Sequence, residues 1–543
     1  MVCHVRTAVL SLVLFAGTAL ATFGGLDGDT KPVAIVDGKE VAVPAIAMGD
    51  PAMVARILKE GKENNQVMQH LKHLTKDIGS RLTGSSRVET ANKWCKSQYE
   101  LWGLSGSHIE EWGTMATRFD RGPCFARIVL RDETKDDKGV VTKVDYKEQR
   151  VMEISSQSWT KGTDGLVRGP VIRMPKTDAE YAEVKDKLKG AWILVEAQPA
   201  VGQRGVRSRL STSFEARAAA RKKVADGEKL ESIAIPERVI FDGVAGFLST
   251  TRDERVWTGA VPGWRERKLE DMAPDVSVVI RMTDYDCINS RLTDGEPVEV
   301  EINLEHKLTA GPIPCYNTIA EIKGTEKPDE IVIISAHLDS WDGPGSQGCT
   351  DNGTGSSVTL EAARILASVG AKPKRTIRFI NWTGEEQGLL GSHAYVAKHK
   401  EEILAKVSAC FVDDGGTNYE GGLAAAENMV DYLAAATAPI NNVFYSEIDK
   451  KFLNVNIRNT GKKADSHGSS DHASFNQVGV PGFFWDESGR ADYSHGWHTQ
   501  HDKYELGVEE YLKQSATCAA ITAYNLACAP DLLPRVKKEE PAK

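Results

Sequence analysis

The chain has 543 residues, more than one ordinary hydrophobic core accommodates, which predicts two domains or one large domain with an insertion. Its formal net charge is -9 at pH 7, and 41% of its residues are hydrophobic. This composition is that of a folded soluble protein. The excess of acidic residues disfavours nucleic acid and anionic membrane surfaces as partners.

The first 21 residues have the features of a secretory signal peptide. Arg6 precedes the apolar run AVLSLVLFAGTAL, and Ala19-Leu20-Ala21 has the small-x-small form of a cleavage site. The run is short for a membrane span. We therefore predict a secreted or periplasmic protein with no membrane span after signal removal; an uncleaved anchor is the alternative. No cysteine forms a CxxC pair, which disfavours a cysteine-based zinc site.

Five stretches of different texture follow the signal. Residues 22–50 are rich in Gly, Ala and Val and are interpreted as a loose leader. Residues 51–126 carry apolar positions at spacings of three and four, which predicts helices in the first part of the main domain. Short β-like runs in 127–308 predict an inserted β-rich domain. Residues 309–535 alternate strand and helix, as in a mixed, largely parallel α/β sheet flanked by helices, and 536–543 form a charged tail.

Polar clusters in the α/β region fall at the ends of predicted strands, where ligands collect in such sheets. In EIVIISAHLDSWD, His337 and Asp339 share one face of an extended segment. His337 is either a metal ligand oriented by Asp339 or a buried structural histidine. Asp351 lies in a Gly-rich loop before a predicted helix. It is either a carboxylate that bridges two metal ions or a helix N-cap.

Two further motifs supply adjacent acids. Glu385 and Glu386 follow the apolar run TIRFIN. One of them could bind a metal while the other takes a proton from water; the alternative is a pair of acids at a helix start. Asp413 and Asp414 end another apolar strand, where the alternative is a turn or capping aspartate.

The last motif, DYSHGWHTQHDKYE, places His495, His498 and His501 around one tryptophan. In an exported protein such a cluster suggests a metal. Each motif alone is a weak signal, but together they supply nitrogen and oxygen ligands of the kind that suit zinc. We predict two zinc ions that share a water molecule, with a free glutamate moving the protons.

In their order along the chain, these motifs resemble the co-catalytic dizinc exopeptidases, which include bacterial leucyl aminopeptidases and plasma glutamate carboxypeptidase. The resemblance covers roughly residues 310–510 and rests on HLDSWD, DNGTG, PKRTIRFINWTGEEQGLLGS, VDDGGTN, SDHASF and HTQHD. It implies a zinc exopeptidase fold with an inserted protease-associated-like domain. It also implies two zinc ions per chain.

The resemblance implies five metal ligands. His337, Asp351 and Asp414 would bind one zinc. Asp351 would bridge to a second zinc, which Glu386 and His498 would hold. Asp414 is chosen over Asp413, and His498 over its neighbouring histidines, because these positions match the family motif.

It also implies roles beyond the ligands. Glu385 would be the general base, and Asp339 would be the partner that orients His337. The Asp351-Asn352 peptide bond would be cis. We place His472, in SSDHASF, beside the substrate carbonyl or terminus.

The predicted function is that of a secreted exopeptidase acting on dipeptides or short peptides. Carboxypeptidase or dipeptidase activity is favoured, and aminopeptidase activity is the alternative. A mono-zinc glutaminyl cyclase-like enzyme or a non-catalytic receptor on the same fold would lack a ligand or the base, whereas every position is filled here. Substrate selection is assigned to loops, to the inserted domain or to the partner subunit of a homodimer.

Overall fold

The computed structural model describes residues 32–197, 203–251, 253–461 and 469–536. The predicted signal peptide, most of the charged tail and the first part of the predicted leader therefore lie outside the described residues. The rest of the leader differs from the prediction, because residues 34–41 form two short paired strands instead of a loose segment.

The first part of the chain is helical, as its apolar spacing predicts, and ends in one long strand. Asp50 caps the first helix and Ser85 caps the third, each through a side-chain oxygen that accepts a backbone N–H. The elements are β1 (Ala34–Val36), β2 (Lys39–Val41), α1 (Pro51–Glu63), α2 (Val67–Lys72), α3 (Ser86–Leu101) and β3 (Ser105–Lys135).

The middle region contains more helix than the predicted β-rich domain. Its short strands from β6 to β9 run parallel to one another, and parallel neighbours need crossover connections, which helices usually provide. The elements are β4 (Val141–Met152), β5 (Ile154–Ser155), β6 (Val167–Arg173), α4 (Asp178–Val184), β7 (Trp192–Leu194), α5 (Gln203–Ala225), α6 (Ile235–Arg238), β8 (Gly246–Ser249), β9 (Ser277–Ile280) and α7 (Met282–Thr293).

The last part of the chain alternates strands and helices. Its elements are β10 (Glu299–Ile322), β11 (Lys327–His337), α8 (Thr354–Ser368), β12 (Arg375–Trp382), α9 (Leu390–Lys398), α10 (Lys400–Lys406), β13 (Val407–Val412), β14 (Tyr419–Ala425), α11 (Val430–Thr437), β15 (Tyr445–Ser446), β16 (Lys451–Phe452), β17 (Asn456–Asn459), α12 (His472–Val478), β18 (Gly482–Ser488), α13 (Tyr493–Gly496) and α14 (Glu509–Cys528).

Apart from β15 and β16, which pair only with each other, these strands form a mixed, largely parallel sheet, which confirms the predicted fold class. The order is β2-β1-β17-β14-β18-β13-β11-β12-β10, and the strands of the middle region continue it from β10. Strand β11 is parallel to both β12 and β13, so the carboxyl ends of these three strands meet at one edge of the sheet. The motifs that carry His337, the Glu385-Glu386 pair and the Asp413-Asp414 pair follow those three ends.

Strands β3 and β10 join the middle region to the main sheet. They pair antiparallel from Glu299 opposite Val129 to Glu321 opposite Ser105. The predicted boundaries of the middle region, 126/127 and 308/309, both fall inside these strands. The backbone therefore passes between the two regions within continuous strands, with no linker at either crossing.

Buried side chains on both faces of the main sheet hold it between helices. Along β11, Val332 and Ile334 belong to the cluster that includes helices α8 and α14, whereas Ile331 and Ile333 belong to the cluster on the other face. This alternation follows from the two-residue repeat of a strand. Each such side chain contributes about 1.5–3 kcal/mol through burial, so the strand ends that carry the site are fixed by the core beneath them.

All eight cysteines from Cys95 to Cys528 are free thiols, and six of them are buried. None of these eight residues, all of which lie in the described part of the chain, forms a disulfide bond. Within the residue ranges given above, no helix is both long and apolar enough to cross a membrane.

Candidate metal centre

His337 ends β11 and is fully buried. Its Nδ1 lies 2.9 Å from the carbonyl oxygen of Asp339 and 3.6 Å from the Oδ1 of the same residue. The Asp339 carboxylate instead accepts hydrogen bonds from Thr83 Oγ1 at 2.6 Å and from the N–H groups of Glu385 and Glu386 at 3.3 and 3.4 Å. Asp339 thus orients the imidazole mainly through its backbone, and its carboxylate positions the turn that carries the two glutamates.

Asp351 lies in the segment Cys349–Gly353, which precedes α8. The Asp351-Asn352 peptide bond is cis, as predicted. Asp502 fixes this segment by accepting hydrogen bonds from the N–H of Thr350 at 2.6 Å and from its hydroxyl at 2.9 Å. Helix α8 begins without a side-chain cap, so Asp351 does not serve as its N-cap.

Glu385 and Glu386 leave the end of β12 through a turn that needs a left-handed residue, Gly384, whose φ is 80°. The two side chains then take different positions. Glu386 accepts a hydrogen bond from Trp341 N–H at 2.9 Å, and its Oε2 lies 3.0 Å from His498 Nε2. Glu385 Oε2 lies 3.9 Å from His337 Nε2. Since the next helix begins only at Leu390, the pair is not an acidic helix start.

Of the two adjacent aspartates after β13, Asp414 faces the cluster. Its Oδ1 lies 2.9 Å from His337 Nε2. Asp413 instead lies beside Glu487, whose Oε1 accepts the N–H of Gly415 at 2.7 Å. Of the two adjacent aspartates, Asp414 therefore belongs to the cluster, whereas Asp413 lies beneath the loop.

His498 is the histidine of the last motif that reaches the other acids. Its Nε2 lies 2.7 Å from Asp351 Oδ2, and its backbone is left-handed, with a φ of 56°. His495 and His501 stack on each other with ring centroids 4.7 Å apart. Neither belongs to a potential metal-binding group among the described residues.

The five predicted ligands form two groups whose donor atoms lie within 4.8 Å of one another. The first group is His337, Asp351 and Asp414, and the second is Asp351, Glu386 and His498. Asp351 is common to both. Imidazole nitrogens and carboxylate oxygens suit zinc, and close, buried carboxylates need cations to compensate them. The side chains present therefore fit two metal ions that share Asp351.

Burial raises the pKa of several acids at and beneath this centre. It raises the pKa of Glu386 to about 7, assisted by the negative charge of Asp351. Burial likewise raises the pKa values of Asp413, Asp471 and Asp502 to about 7. The pKa of His498 rises to about 9, since Glu386 and Asp351 together outweigh its burial. In the absence of metal, the folded centre therefore holds protons near neutral pH.

These shifts predict that the metal-free protein loses stability as pH rises from 6.5 to 9. The raised pKa values of Glu386, Asp502 and His498 mean that the folded state binds protons that the unfolded chain has released. This contribution is complete below the unfolded pKa values and is lost as pH passes through about 7 and then about 9. Thermal unfolding across this range, with chelator and with saturating zinc, measures the effect.

We expect the melting temperature to fall with pH in chelator and to fall much less in zinc, because the metal replaces the protons. A melting temperature that rises with pH in chelator would contradict the electrostatics described above.

His472 is buried at the start of α12, with its ring edge-on to Phe484 at 5.6 Å. It belongs to neither donor group, so a substrate contact of His472 remains a prediction. Sequence reasoning also missed Arg81, which is fully buried and donates hydrogen bonds to the carbonyl oxygens of Leu338 and Gly348, both at 2.7 Å. Arg81 thus ties the His337 segment to the Asp351 segment, and no pattern in GSRLTG marks it.

The fold and the two donor groups together define a metal-binding α/β protein, and comparison with known proteins narrows this class. The family described as Peptidase family M28 matches residues 317–522, the segment that contains all five predicted ligands. On this match the chain is a peptidase. The predicted family of co-catalytic zinc exopeptidases is confirmed, and with it zinc as the cofactor.

Three similar proteins illustrate the relationship. Carboxypeptidase Q of Mus musculus is 26% identical over 479 residues, which cover 88% of each chain. Aminopeptidase YwaD of Bacillus subtilis (strain 168) is 30% identical over 255 residues, or 46% of this chain and 53% of that protein. The crystal structure of a Peptidase M28 precursor from Shewanella amazonensis SB2B superposes with a TM-score of 0.55 at 22% identity, covering 90% of this chain and 99% of that one. This structural likeness establishes the fold.

Proposed function

We propose that the protein is an exported dizinc exopeptidase that hydrolyses dipeptides or short peptides and favours carboxypeptidase or dipeptidase activity. The observation that carries this proposal is the division of the Glu385-Glu386 pair. Glu386 lies in the second donor group, whereas Glu385 lies near the first group without belonging to either. A carboxylate that is close to the metals but not a ligand suits a general base. Export rests on the features of residues 1–21 alone.

In this proposal, two bound zinc ions supply a water molecule of lowered pKa and polarise the scissile carbonyl. Asp351 would hold both ions, and His337, Asp414, Glu386 and His498 would complete their ligands. Glu385 takes a proton from the attacking water and returns it to the leaving amine. Burial and nearby acids raise the pKa of Glu385 well above its usual range in the metal-free protein, and two cations would lower it again, so that it can act as a base.

The preference for a carboxypeptidase is supported by the extent of the similarity. The carboxypeptidase Q of Mus musculus aligns with 88% of this chain, including the middle region, whereas the aminopeptidase YwaD aligns with 46%. We assign substrate selection to regions beyond the metal ligands, so the longer alignment favours the first activity.

Dipeptides blocked at either end test the proposal on the full chain loaded with zinc. We expect hydrolysis of unblocked dipeptides, continued hydrolysis when the N-terminus is acetylated, and loss of hydrolysis when the C-terminus is amidated. Metal analysis of the same preparation should give about two zinc ions per chain.

Hydrolysis that continues when the C-terminus is amidated but is lost when the N-terminus is acetylated would replace the carboxypeptidase assignment with the aminopeptidase alternative. Loss of hydrolysis with either block would define a strict dipeptidase. Cyclisation of N-terminal glutamine with one zinc bound would indicate the glutaminyl cyclase-like alternative, and two bound zinc ions without any hydrolysis would indicate the receptor-like one.

A further inference from the structure

The two histidines of the centre are held in different ways. His337 Nδ1 lies 2.9 Å from the Asp339 carbonyl oxygen, which fixes the ring. His498 Nδ1 is buried, and no atom of the described residues accepts a hydrogen bond from it. Metal-binding histidines are usually oriented by an acceptor at the second nitrogen. The orientation of the His498 ring must therefore be set by something other than a hydrogen bond from its Nδ1.

Backbone contacts from the middle region supply that positioning. Thr258 N–H donates to the carbonyl oxygen of His498 at 2.9 Å, and Trp257 forms an antiparallel bridge with Thr499. These contacts hold the backbone at His498 and at Thr499, the residue that follows it. Segment 253–260 of the middle region, which we term the clamp, is thus bound to the loop that carries His498.

Gln500 joins the clamp to that loop through its side chain. It is 5% exposed, and its Oε1 accepts the N–H of Val256 at 2.9 Å. Its Nε2 donates to Glu153 Oε2 at 2.7 Å and to the carbonyl oxygen of Glu254 at 3.2 Å. Every partner of this side chain lies in the middle region, so Gln500 is a point of attachment between the two regions.

Aromatic rings complete the support. The ring of Trp497 stacks on His498 with centroids 4.1 Å apart, and Trp257 meets Trp497 edge-on at 6.2 Å. Arg255 lies over Trp257, 4.9 Å from the ring centroid, and donates to the carbonyl oxygen of Ser494 at 3.3 Å. The His498 ring is therefore fixed by a stack whose outer members belong to the clamp.

We propose that the clamp positions His498 and thereby sets the affinity of the second donor group for its metal, while leaving the first group unaffected. The middle region would then act directly on the metal centre in addition to any contact with substrate. This inference rests on the metal ligands of the proposed function. Gln500, Arg255, Trp257 and Thr258 are positioning residues, because each acts through His498 or its loop.

The test is a zinc titration of the metal-stripped full chain against a chromophoric chelator of known affinity. His498→Ala identifies the binding step of the second group. Gln500→Met removes the three hydrogen bonds of Gln500 and keeps a side chain of similar length. His498→Ala should abolish one zinc-binding step. We expect Gln500→Met to weaken that same step by about 10–100-fold, the usual effect of losing a residue that orients a ligand. The first step should be unchanged.

Gln514→Met is the matched control. It makes the same side-chain change in α14 and removes hydrogen bonds to the carbonyl oxygens of Glu420 and Leu453, outside the clamp. Its zinc steps should match those of the unmodified protein even where its melting temperature falls. If Gln500→Met does not fold, Arg255→Met, at the partly exposed end of the stack, must show the same selective weakening.

The unmodified protein should show two zinc-binding steps. If Gln500→Met leaves both unchanged, or weakens both equally, the proposed role of the clamp is overturned and the proposed function stays intact. Absence of two zinc steps in the unmodified protein would instead overturn the proposed function, and the clamp with it.

Discussion

Glu385→Gln should bind two zinc ions and lose turnover. The substitution removes the proton acceptor near His337 Nε2 but alters neither donor group. General bases contribute about 10²–10⁴-fold to rate, so we expect kcat to fall by about 10³-fold, equivalent to about 4 kcal/mol of transition-state stabilisation. Steady-state kinetics and metal analysis on the same sample give both values.

Glu386→Gln is the natural comparison, since it makes the same change one residue further on. In the unmodified protein, Glu386 Oε2 lies 3.0 Å from His498 Nε2, within the second donor group. We expect this variant to lose zinc from that group, and part of its activity to return when zinc is raised. Activity retained in Glu385→Gln, or zinc lost from it, would show that the roles of the two glutamates are assigned wrongly.

Asp351→Ala should empty the centre more completely than the loss of any other ligand. Asp351 is the only residue that the two donor groups of the described chain share. Its removal leaves each group with one imidazole and one carboxylate. We expect zinc content to fall from about two ions to fewer than one per chain after dialysis, and activity to fall by at least about 10³-fold, because metal-assisted activation of water is lost with the ions.

Asp137→Ala provides the control, because Asp137 is exposed in the turn between β3 and β4. That variant should keep its zinc and its activity. An Asp351→Ala protein that still holds two tightly bound zinc ions would exclude Asp351 as the bridging ligand.

The sequence predicts the α/β half of this molecule well because the signals there are local and repeated. Apolar runs such as TIRFIN end in polar clusters, and parallel pairing of β11 with β12 and β13 brings those ends together. The proximity of His337, Asp351 and Asp414 follows from this topology. It could be predicted because each of these residues belongs to a motif of its own.

The remaining features depend on contacts between distant segments and leave no local pattern. The middle region proved richer in helix than its short β-like runs indicate, because helices α4 to α6 form the crossovers from β6 to β7 and from β7 to β8. Strand β1 pairs with β17, more than 400 positions later in the chain, and β2 pairs with β1. The hydrogen bonds of Arg81, and the hydrogen bond between Gln500 and Val256, also form only in the folded chain.

The continuity of β3 and β10 has a consequence for protein engineering. Each strand begins in one region and ends in the other, and β10 also pairs with β12, the strand that leads to Glu385. The middle region is therefore not an exchangeable cassette. A chimera that takes residues 127–308 from a relative would splice two paired strands in mid-ladder, and one of these strands, β10, also pairs with β12. Successful grafts would need junctions beyond the paired segment, so that both strands come from one parent.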